Sequence, residues 1–434
     1  MPGPQRDTWL DATRDQRTLA RFARGRARHD VREVVTEMLA DGSSLDALSL
    51  QRLKVRPGAS IEAWFAASVR SPVGQVRRHV AARWSNGAEP AAPPSSGSSG
   101  DGFALLRAGS SPAVSVSPYD PAFPNLVPLL STSHVAAALG LDPSAGLSTR
   151  TVRYRPGQRH VLRFVIGTDA RVGTTTWFAK LERPGRGSEA FDAASRFARS
   201  VDGDPGVAVV GPVALVDDAL LYPAVRGRAL SSTSPATVQA TLGLARAGRA
   251  LAVVHDASLP AGRAPRTIAD ELSTTGRSIR HLRAWLGVER ARLDDLVARL
   301  GALVPVVGVG PIVSLHGDCK LDHLHRGGSV MHLIDIDNAG PGDAALDIGN
   351  LLADVRWWAG RAPREVVEAS VRAVVVAYGP LASSPGVDLV EALSLLRITA
   401  RRTRPDRADW TTQTTAGIAE VEHLASQLEL RLGR

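Results

Sequence analysis

The stretch PIVSLHGDCKLDHLHRGGSVMHLIDIDNAGPGDAALDIGNLLADV, residues 311–355, decides the fold of this chain. An apolar run that ends at Leu315 has the character of a β-strand and leads into the tripeptide His-Gly-Asp at 316–318. A Gly-Gly turn at 327–328 then leads to a second apolar run, which delivers Asp335 at its end. The pattern predicts two short strands joined by a tight turn, each presenting a carboxylate where the strand ends.

Two carboxylates at neighbouring strand ends suit phosphoryl transfer. One carboxylate should accept or orient the proton of an attacking hydroxyl, and another should hold the Mg²⁺ that bridges the nucleotide phosphates. We assign Asp318 to the first role and Asp335 to the second. A third polar group near the first carboxylate usually completes the metal shell, and His323 follows Asp318 by five residues.

A cation for the phosphates is expected from the sheet-rich part of the chain. Lys180 ends the run TTTWFAK on a predicted strand, and lysine is rare in this chain. Glu189, on the predicted helix that follows, can pair with Lys180 and fix its position. Glu182 is a competitor for that pairing.

Other polar residues of the central stretch are expected to support the loop. We expect His316 to hold the loop by hydrogen bonds, and Asp347 to accept hydrogen bonds from backbone N–H groups near His316 in a buried position. Asp343 precedes a predicted helix and suits its N-cap. Cys319 is expected to be a small neighbour of Asp318, because a catalytic thiol needs an activating partner.

The composition is that of a globular chain. Hydrophobic residues make up 44% and charged residues 22% of 434 residues, which excludes a disordered or collagen-like protein. The single cysteine excludes an intrachain disulfide and a cysteine-cluster zinc site. Lys and Arg number 52 against 43 Asp and Glu, a net charge of +9, but aromatic residues at 5% and the lack of a nucleic-acid motif argue against nucleic-acid binding.

The sequence also bears on location. No apolar run approaches the roughly 18 residues that span a bilayer, so no membrane association is expected. The Arg-rich N-terminus lacks the apolar core of a secretory signal. We therefore expect a cytoplasmic protein.

The chain divides by composition and periodicity into strand-rich and helix-rich parts, which predicts an α+β protein. The predicted parts are a helical and β-hairpin extension that can pack on the next lobe (1–85), a flexible Pro/Gly/Ser linker (86–102), a β-rich N-lobe (103–222) and a helical C-lobe with the catalytic and metal loops (223–434). Among the predicted elements are a strand over 207–216 and a long helical stretch over 268–303.

Two predicted hairpins share a sequence pattern. Arg-Pro-Gly occurs at 56–58 and again at 155–157, and Phe65 and Phe164 follow at the same distance. A diverged internal duplication explains the pattern, and so do two unrelated hairpins that share a common turn dipeptide.

From about residue 150 to 430 the chain resembles the aminoglycoside phosphotransferase and choline-kinase-like family, which has a bilobal protein-kinase-like fold. The family's catalytic loop H-G-D-x-x-x-x-N is matched at 316–318, with His323 at the Asn position. The family's metal segment is matched by Ile334, Asp335, Ile336, Asp337, Ala339, Gly342, Asp343, Asp347, Ile348 and Gly349. The two motifs have the right order, with Asp318 and Asp335 17 residues apart.

The resemblance implies ATP or GTP as the phosphate donor, Mg²⁺ as the cofactor, and a hydroxyl of a small molecule as the acceptor. An aminoglycoside, a sugar or an amino-alcohol would suit. The family often covers the phosphates with an ordinary hairpin, which implies that Gln158 and Arg159 face phosphate here. Tyr222 and Ala224 lie in a segment that resembles the hinge between the lobes, where backbone groups meet the adenine.

His323 is the main departure from the family pattern. Mg²⁺ prefers oxygen ligands, so the second metal position is weakened and Mn²⁺ is an alternative ion. The departure motivates a second hypothesis, a pseudokinase that binds nucleotide or a protein partner, the latter through the N-terminal region. The retained Lys180, Asp318 and Asp335 favour an active kinase. The Arg-rich stretch at 397–407 is either a solvated helix end or a sign that the acceptor is not a polycation.

Overall fold

The computed structural model describes residues 10, 12–13, 16–39, 42–72, 74–85, 112–117, 120, 122–126, 129, 132–142, 146–155, 157–166, 175–201, 203–259, 264–283, 285–286, 289–407 and 409–434. The predicted linker at 86–102 lies outside these residues. The chain forms two compact units, of which the first comprises residues 1–189, 213–224 and 404–410 and the second comprises 190–212, 225–403 and 411–434. The four parts predicted from the sequence stay a prediction.

Between residues 16 and 116, the described part of the first unit contains two helices and an antiparallel sheet. The helices are α1 (Gln16–Arg24) and α2 (Arg26–Glu37), and the strands, in sheet order, are β1 (Ser44–Arg56), β2 (Ser60–Ser71), β3 (Gly74–Ser85) and β4 (Ala113–Val116). Alternate residues of β2 are buried, as expected for a strand with one face on a core. Phe22 of α1 packs edge-on against Trp84 of β3, with ring centroids 5.2 Å apart, so helix and sheet share that core.

A second antiparallel sheet follows in the same unit. Helix α3 (Thr132–Ala138) precedes it, and its strands, in sheet order, are β5 (Leu147–Arg155), β6 (Arg159–Ile166), β7 (Thr176–Leu181), β10 (Ala219–Pro223) and β9 (Ala214–Val216). Leu162, Phe164 and Leu221 are fully buried in its core, together with Val135 of α3.

The strand predicted over 207–216 is two strands, and that prediction was wrong. Residues Val207–Val209 form β8, which pairs in parallel with β14 (Val330–Leu333) of the second unit, whereas β9 belongs to the first unit. The sequence Gly211-Pro212 separates the two strands. Proline has no N–H to donate, so it cannot continue a central ladder.

The second unit is mostly helical. Its helices are α4 (Gly187–Ser200), which begins in the first unit, α5 (Val238–Asp256), α6 (Ile268–Arg283), α7 (Glu289–Val307), α8 (Ala345–Ala359), α9 (Arg364–Tyr378), α10 (Pro385–Arg402) and α11 (Trp410–Arg431). The helical stretch predicted over 268–303 contains two helices, and the sequence between them contains Gly287, a poor helix former. Helix α8 is buried over nearly its whole length and packs on α10, where Gly349 leaves no room for a side chain beside Val390.

Short strands of the second unit position the central stretch. Strands β12 (Ile312–Leu315) and β15 (Gly340–Asp343) pair antiparallel, and a second sheet has the order β11 (Arg228–Ala229), β13 (Leu324–Gly327), β14 and β8. The prediction that the strand before His316 and the strand before Asp335 are joined by the Gly-Gly turn was therefore wrong, because β12 pairs with β15 and the turn joins β13 to β14.

The structure confirms the predicted α+β class, with a sheet-rich N-terminal part and a helical C-terminal part. None of the helices in the described part of the chain has the length and apolar character needed to cross a membrane.

Candidate active site

The loop that carries Asp318 leaves β12 through a glycine in the left-handed region. Gly317 has φ of +82°, and a Cβ at this position would collide with the carbonyl oxygen of Asn338. Only glycine meets both conditions without strain. The tight turn brings the loop against the segment that follows β14.

A buried carboxylate anchors this loop. Asp347, near the start of α8, accepts hydrogen bonds from the backbone N–H groups of His316 at 2.6 Å and Gly317 at 2.9 Å. Nε2 of His255 lies 3.5 Å from the same carboxylate. Burial alone would raise the pKa of Asp347. The hydrogen bond from His255, the charge interaction with His255 and the hydrogen bond from the Gly317 N–H together lower this pKa below its usual range. The carboxylate therefore stays ionised and holds the loop.

His316 links the catalytic loop to the second carboxylate segment. Its Nε2 lies 3.0 Å from the carbonyl oxygen of Ile334, and the backbone N–H of Asp318 lies 3.4 Å from its Nδ1. Because the carbonyl can only accept, Nε2 carries the hydrogen and Nδ1 is the acceptor, as in a neutral imidazole. Burial lowers the pKa of His316, which agrees with that form.

Asp318, His323 and Asp335 form a cluster in which one ligand atom from each residue lies within 4.8 Å of the others. Nδ1 of His323 lies 3.0 Å from the backbone carbonyl oxygen of Asp318 and 3.8 Å from its Oδ2. Nε2 of His323 lies 3.1 Å from Oδ2 of Asp335. The structure therefore brings together the three residues that were placed at the catalytic and metal positions from the sequence.

The backbone of Asp335 is itself unusual. It has φ of +64°, in the left-handed region that non-glycine residues rarely adopt. Such conformations cost on the order of 1–3 kcal/mol and persist where the surroundings hold them in place. Here the conformation ends β14 and directs the carboxylate toward His323.

The donor set of the cluster fits a divalent cation. Two carboxylates are ligands that suit Mg²⁺ and Mn²⁺. The carbonyl oxygen of Asp318 can only accept, so Nδ1 of His323 carries a hydrogen and Nε2 faces the Asp335 carboxylate. A metal-binding histidine usually donates its other ring N–H in this way, which makes Nε2 a suitable third ligand.

Two cations beside Asp318 were missed by the sequence reasoning. Nζ of Lys320 lies 2.7 Å from Oδ2 of Asp318, and Nη1 of Arg266 donates to the carbonyl oxygen of Gly317 at 3.0 Å. The rarity of lysine, which drew attention to Lys180, applies equally to Lys320, since the chain has three lysines. No local pattern pointed to Arg266, which lies 52 residues before Asp318.

Helices α8 and α10 support the remainder of the loop. Asp354 accepts from the backbone N–H of Leu321 at 2.9 Å, and Nδ2 of Asn350 donates to the carbonyl oxygen of Cys319 at 2.6 Å. Burial raises the pKa of the Cys319 thiol well above its ordinary value, so this residue packs as a small apolar group. Arg397 donates to Asn350 at 2.7 Å and is buried, so this part of the Arg-rich stretch is structural and not a solvated helix end.

The residues predicted to bind nucleotide lie in the first unit, and their roles stay predictions. Lys180 is buried on β7, opposite Val161 of β6 and Leu220 of β10. Glu189 is exposed and forms an ion pair with Arg186 at 3.0 Å.

The other predicted nucleotide-binding residues lie at strand ends of the same unit. Gln158 lies in the turn between β5 and β6, and Arg159 is the first residue of β6. Tyr222 lies on β10, and the N–H of Ala224 donates to the carbonyl of Thr176, just before the chain enters the second unit.

A cavity of about 870 Å³ borders the loop beyond Asp318. Trp357 and Trp358 line it, and Arg402 lies over the Trp357 ring at 5.8 Å and 3.8 Å from Asp354. Acidic and basic side chains line the cavity in equal number, Asp322, Asp354, Glu368 and Glu420 against Arg356, Arg361, Arg364 and Arg402. The lining therefore has no net charge.

Residues 151–382 match the sequence profile of the phosphotransferase enzyme family. A search of curated protein sequences finds no significant match. Among solved structures, the chain is similar to the aminoglycoside phosphotransferase APH(3'')-Id of Streptomyces rimosus, with 18% identity over 63% of this chain and 98% of the other and a TM-score of 0.44. It is also similar to a choline kinase of Cryptosporidium parvum, with 9% identity, 66% and 91% coverage and a TM-score of 0.46.

Proposed function

Because the chain belongs to the phosphotransferase enzyme family, we propose that it transfers the terminal phosphate of ATP to a hydroxyl group of a small molecule. The observation that carries the proposal is the cluster of Asp318, His323 and Asp335, in which Asp347 holds the loop that carries Asp318 through two backbone N–H groups. GTP is the alternative donor.

Asp318 is the group that receives the proton of the acceptor hydroxyl. It is partly exposed, at the end of a loop whose backbone is fixed by Asp347, so an acceptor can reach its carboxylate. Lys320, at 2.7 Å from that carboxylate, places a positive charge where the transferred phosphoryl group would carry negative charge. The side chain would stabilise that charge as the proton moves to Asp318.

Asp335 and His323 are the residues that would hold Mg²⁺. The bound ion would neutralise charge on the donor phosphates and orient them for in-line transfer. The strained backbone of Asp335 and the Nδ1 hydrogen bond of His323 orient these two side chains before the ion arrives.

Residues of the first unit would bind the nucleotide. Lys180 would contact the phosphates, with Gln158 and Arg159 in the covering hairpin, and the backbone near Tyr222 and Ala224 would meet the base. The place of Lys180 supports this role, because pairing of β7 with a strand on each side fixes the backbone from which its ammonium group extends.

The cavity bounded by Trp357 and Trp358 meets the catalytic loop at Asp322, and Asp318 is not in its lining, so an acceptor bound there would have to extend from the cavity to Asp318. The mixed and balanced charges of the cavity fit a polyhydroxylated or zwitterionic molecule better than a polycation. The two indole rings supply flat apolar surface, and the paired acids and arginines supply hydrogen-bond partners for hydroxyl groups.

The test compares Asp318→Asn with Asp295→Asn, an exposed change on α7 that removes the same charge. Nucleotide consumption is measured with Mg²⁺ and a panel of sugars, amino-alcohols and aminoglycosides, and nucleotide binding is measured by calorimetry. We expect Asp318→Asn to lose turnover by about 10²–10⁴-fold, the range typical for a general base, with ATP binding retained. Equal turnover in the two variants would contradict the role of Asp318, and failure of the parent protein to bind ATP or GTP with Mg²⁺ or Mn²⁺ would contradict the proposed function.

A further inference from the structure

The hairpin β1–β2 repeats the hairpin β5–β6 in detail. In each, the arginine of Arg-Pro-Gly pairs with the residue four positions later, Arg56 with Ser60 and Arg155 with Arg159. The glycines have nearly the same φ, +69° for Gly58 and +65° for Gly157. The inward-facing residues also correspond, and the buried pairs are Ile61 and His160, Ala63 and Leu162, and Phe65 and Phe164.

Both turns are also held by the same kind of contact from earlier in the chain. The N–H of Gly58 donates to Oγ1 of Thr13 at 3.0 Å, and the N–H of Gly157 donates to Oδ2 of Asp120 at 2.8 Å. Two unrelated hairpins with a common turn dipeptide have no reason to share this contact. The correspondence therefore favours an internal duplication over a shared turn.

The correspondence extends to the third strand of each sheet. Val161 of β6 pairs with Lys180 of β7, and the equivalent residue of β2, Glu62, pairs with Arg83 of β3. Arg83 thus occupies in the N-terminal sheet the place that Lys180 occupies in the following sheet. Both positions carry a cation at the same point of the same motif.

Arg83 lines a cavity of about 280 Å³ in the first unit. Trp64 of β2, Ser115 of β4 and Gln158 from the tip of the β5–β6 hairpin line it too, together with Arg155 and Glu62. The cavity is therefore formed by the N-terminal sheet and the hairpin turn that was predicted to cover the donor phosphates. Its volume lies near the lower end of the range for small-ligand pockets, about 300–1,000 Å³.

Positive charge dominates around this cavity. Glu62 is the acidic residue of its lining, and it lies 3.7 Å from both Lys54 and Arg56 of β1. Burial lowers the pKa of Lys54, Glu62 opposes that change, and the nearby guanidinium groups of Arg56 and Arg155 lower the pKa further. Within the lining itself, Arg83 and Arg155 stand against Glu62, and the resulting net charge of +1 is one that an anion would offset.

A hydrogen-bond donor in the cavity wall also lacks an acceptor. Nε1 of Trp64 is buried and has no hydrogen-bond partner within the described part of the chain. A buried N–H without a partner is costly, on the order of 1–3 kcal/mol, and native proteins rarely leave one. The guanidinium of Arg52 lies over the Trp64 ring, 5.7 Å from its centroid.

We propose that this cavity is a second anion site, which binds the phosphate group of a small phosphorylated molecule through Arg83 and the indole N–H of Trp64. Lys54 and Arg56 supply the surrounding positive charge. The ligand would also touch the turn at Gln158, so its binding would stiffen the β5–β6 hairpin.

The experiment measures binding of inorganic phosphate to the full-length protein by calorimetry and tryptophan fluorescence, with sodium chloride at matched ionic strength as the reference. Arg83→Gln should weaken phosphate binding by about tenfold or more, the factor for one lost charge-assisted hydrogen bond. Trp64→Phe, which keeps the ring and removes the donor, should weaken it by a smaller factor. Circular dichroism melts establish that each variant is folded.

Two matched controls separate this site from others. Arg70→Gln removes the same charge from the exposed end of the neighbouring strand β2, and it should leave phosphate binding unchanged. Arg77→Gln removes the same charge from an exposed position of β3 itself and should also leave phosphate binding unchanged. Equal affinity in the parent protein and Arg83→Gln, or equal weakening by Arg70→Gln, would overturn the proposal. Tighter binding of a single-stranded oligonucleotide than of phosphate, lost in Arg83→Gln, would also overturn it in favour of an extended polyanion.

Discussion

Asp347→Asn is the substitution that tests most directly how the catalytic loop is held. Asp347 is buried and accepts from two consecutive backbone N–H groups, those of His316 and Gly317. Asparagine has nearly the same shape but offers one oxygen and one NH₂ group. One of the two backbone N–H groups must therefore face another donor.

The cost follows from the hydrogen bonds that the carboxylate makes. A hydrogen bond to a charged group contributes about 1.5–3 kcal/mol, and a buried donor left unpaired costs about 1–3 kcal/mol. These two contributions overlap, so we expect the loop to be destabilised by about 2–4 kcal/mol. A change of about 3 kcal/mol in local opening corresponds to roughly a hundredfold change in the equilibrium.

Hydrogen–deuterium exchange measured by mass spectrometry reports this opening. A global unfolding curve would mix the two units of the chain, because multi-unit proteins need not unfold in one step. We expect peptides that contain residues 316–318 to exchange roughly a hundredfold faster in Asp347→Asn. Peptides from β6, in the first unit, serve as the internal reference.

Asp295→Asn is the matched control, since Asp295 is exposed on α7. A surface change of this kind alters stability by less than about 0.5 kcal/mol. If exchange at 316–318 rises less than about threefold in Asp347→Asn, the Asp347 carboxylate is not what holds the loop, and the fixed position of Asp318 has another cause.

Two further substitutions test the metal site and a buried histidine. His323→Asn replaces the imidazole with an amide oxygen, the kind of ligand that Mg²⁺ prefers. The Mg²⁺ concentration that half-saturates nucleotide turnover should therefore fall by about tenfold. An unchanged or higher Mg²⁺ requirement would contradict the view that His323 is a weakened ligand. Burial, and to a lesser extent His79, lowers the pKa of His160 from 6.5 to about 3, so this side chain is neutral in the folded protein. The contribution of neutral His160 to the free energy of unfolding is fully present above about pH 6.5, the pKa of the unfolded state. It is lost as the pH falls toward the pKa of the folded state, by about 1.4 kcal/mol per pH unit. His160→Gln should flatten the fall of the melting temperature below pH 6.5, and calorimetric scans with equal slopes for both proteins would contradict the assignment.

The family and the fold class were predictable because their signal is local in the chain. Asp318, His323 and Asp335 lie within 18 residues, and the β13–β14 hairpin, whose turn is encoded by neighbouring residues, lies between His323 and Asp335. The spacing alone therefore brings these side chains close to one another. The same locality explains why the β1–β2 and β5–β6 hairpins could be predicted from Arg-Pro-Gly turns.

Contacts between distant residues were decided by the tertiary structure. Strand β8 pairs with β14 across 124 residues, Val207 with Met331, which no local pattern reveals. The partners that hold the loop, among them Asn350, Asp354 and Arg397, come from two helices whose packing depends on Gly349. Helix periodicity predicts which face is buried but does not say which polar residue on that face meets which backbone group.

The proposed anion site at Arg83 and Trp64 likewise combines features that the sequence shows with features that only the tertiary structure decides. Trp64, Arg83 and Arg155 are separated by up to 91 residues in the sequence. The sequence showed only that the Arg-Pro-Gly turns at 56–58 and 155–157 are alike. Strand register then placed Arg83 opposite Glu62, and the packing of β3 against β5 brought the second hairpin turn to the same cavity. In this protein the sequence by itself determines the side-chain chemistry and the local geometry. Strand register and packing determine which distant charges share a site, because register and packing depend on contacts between segments far apart in the chain.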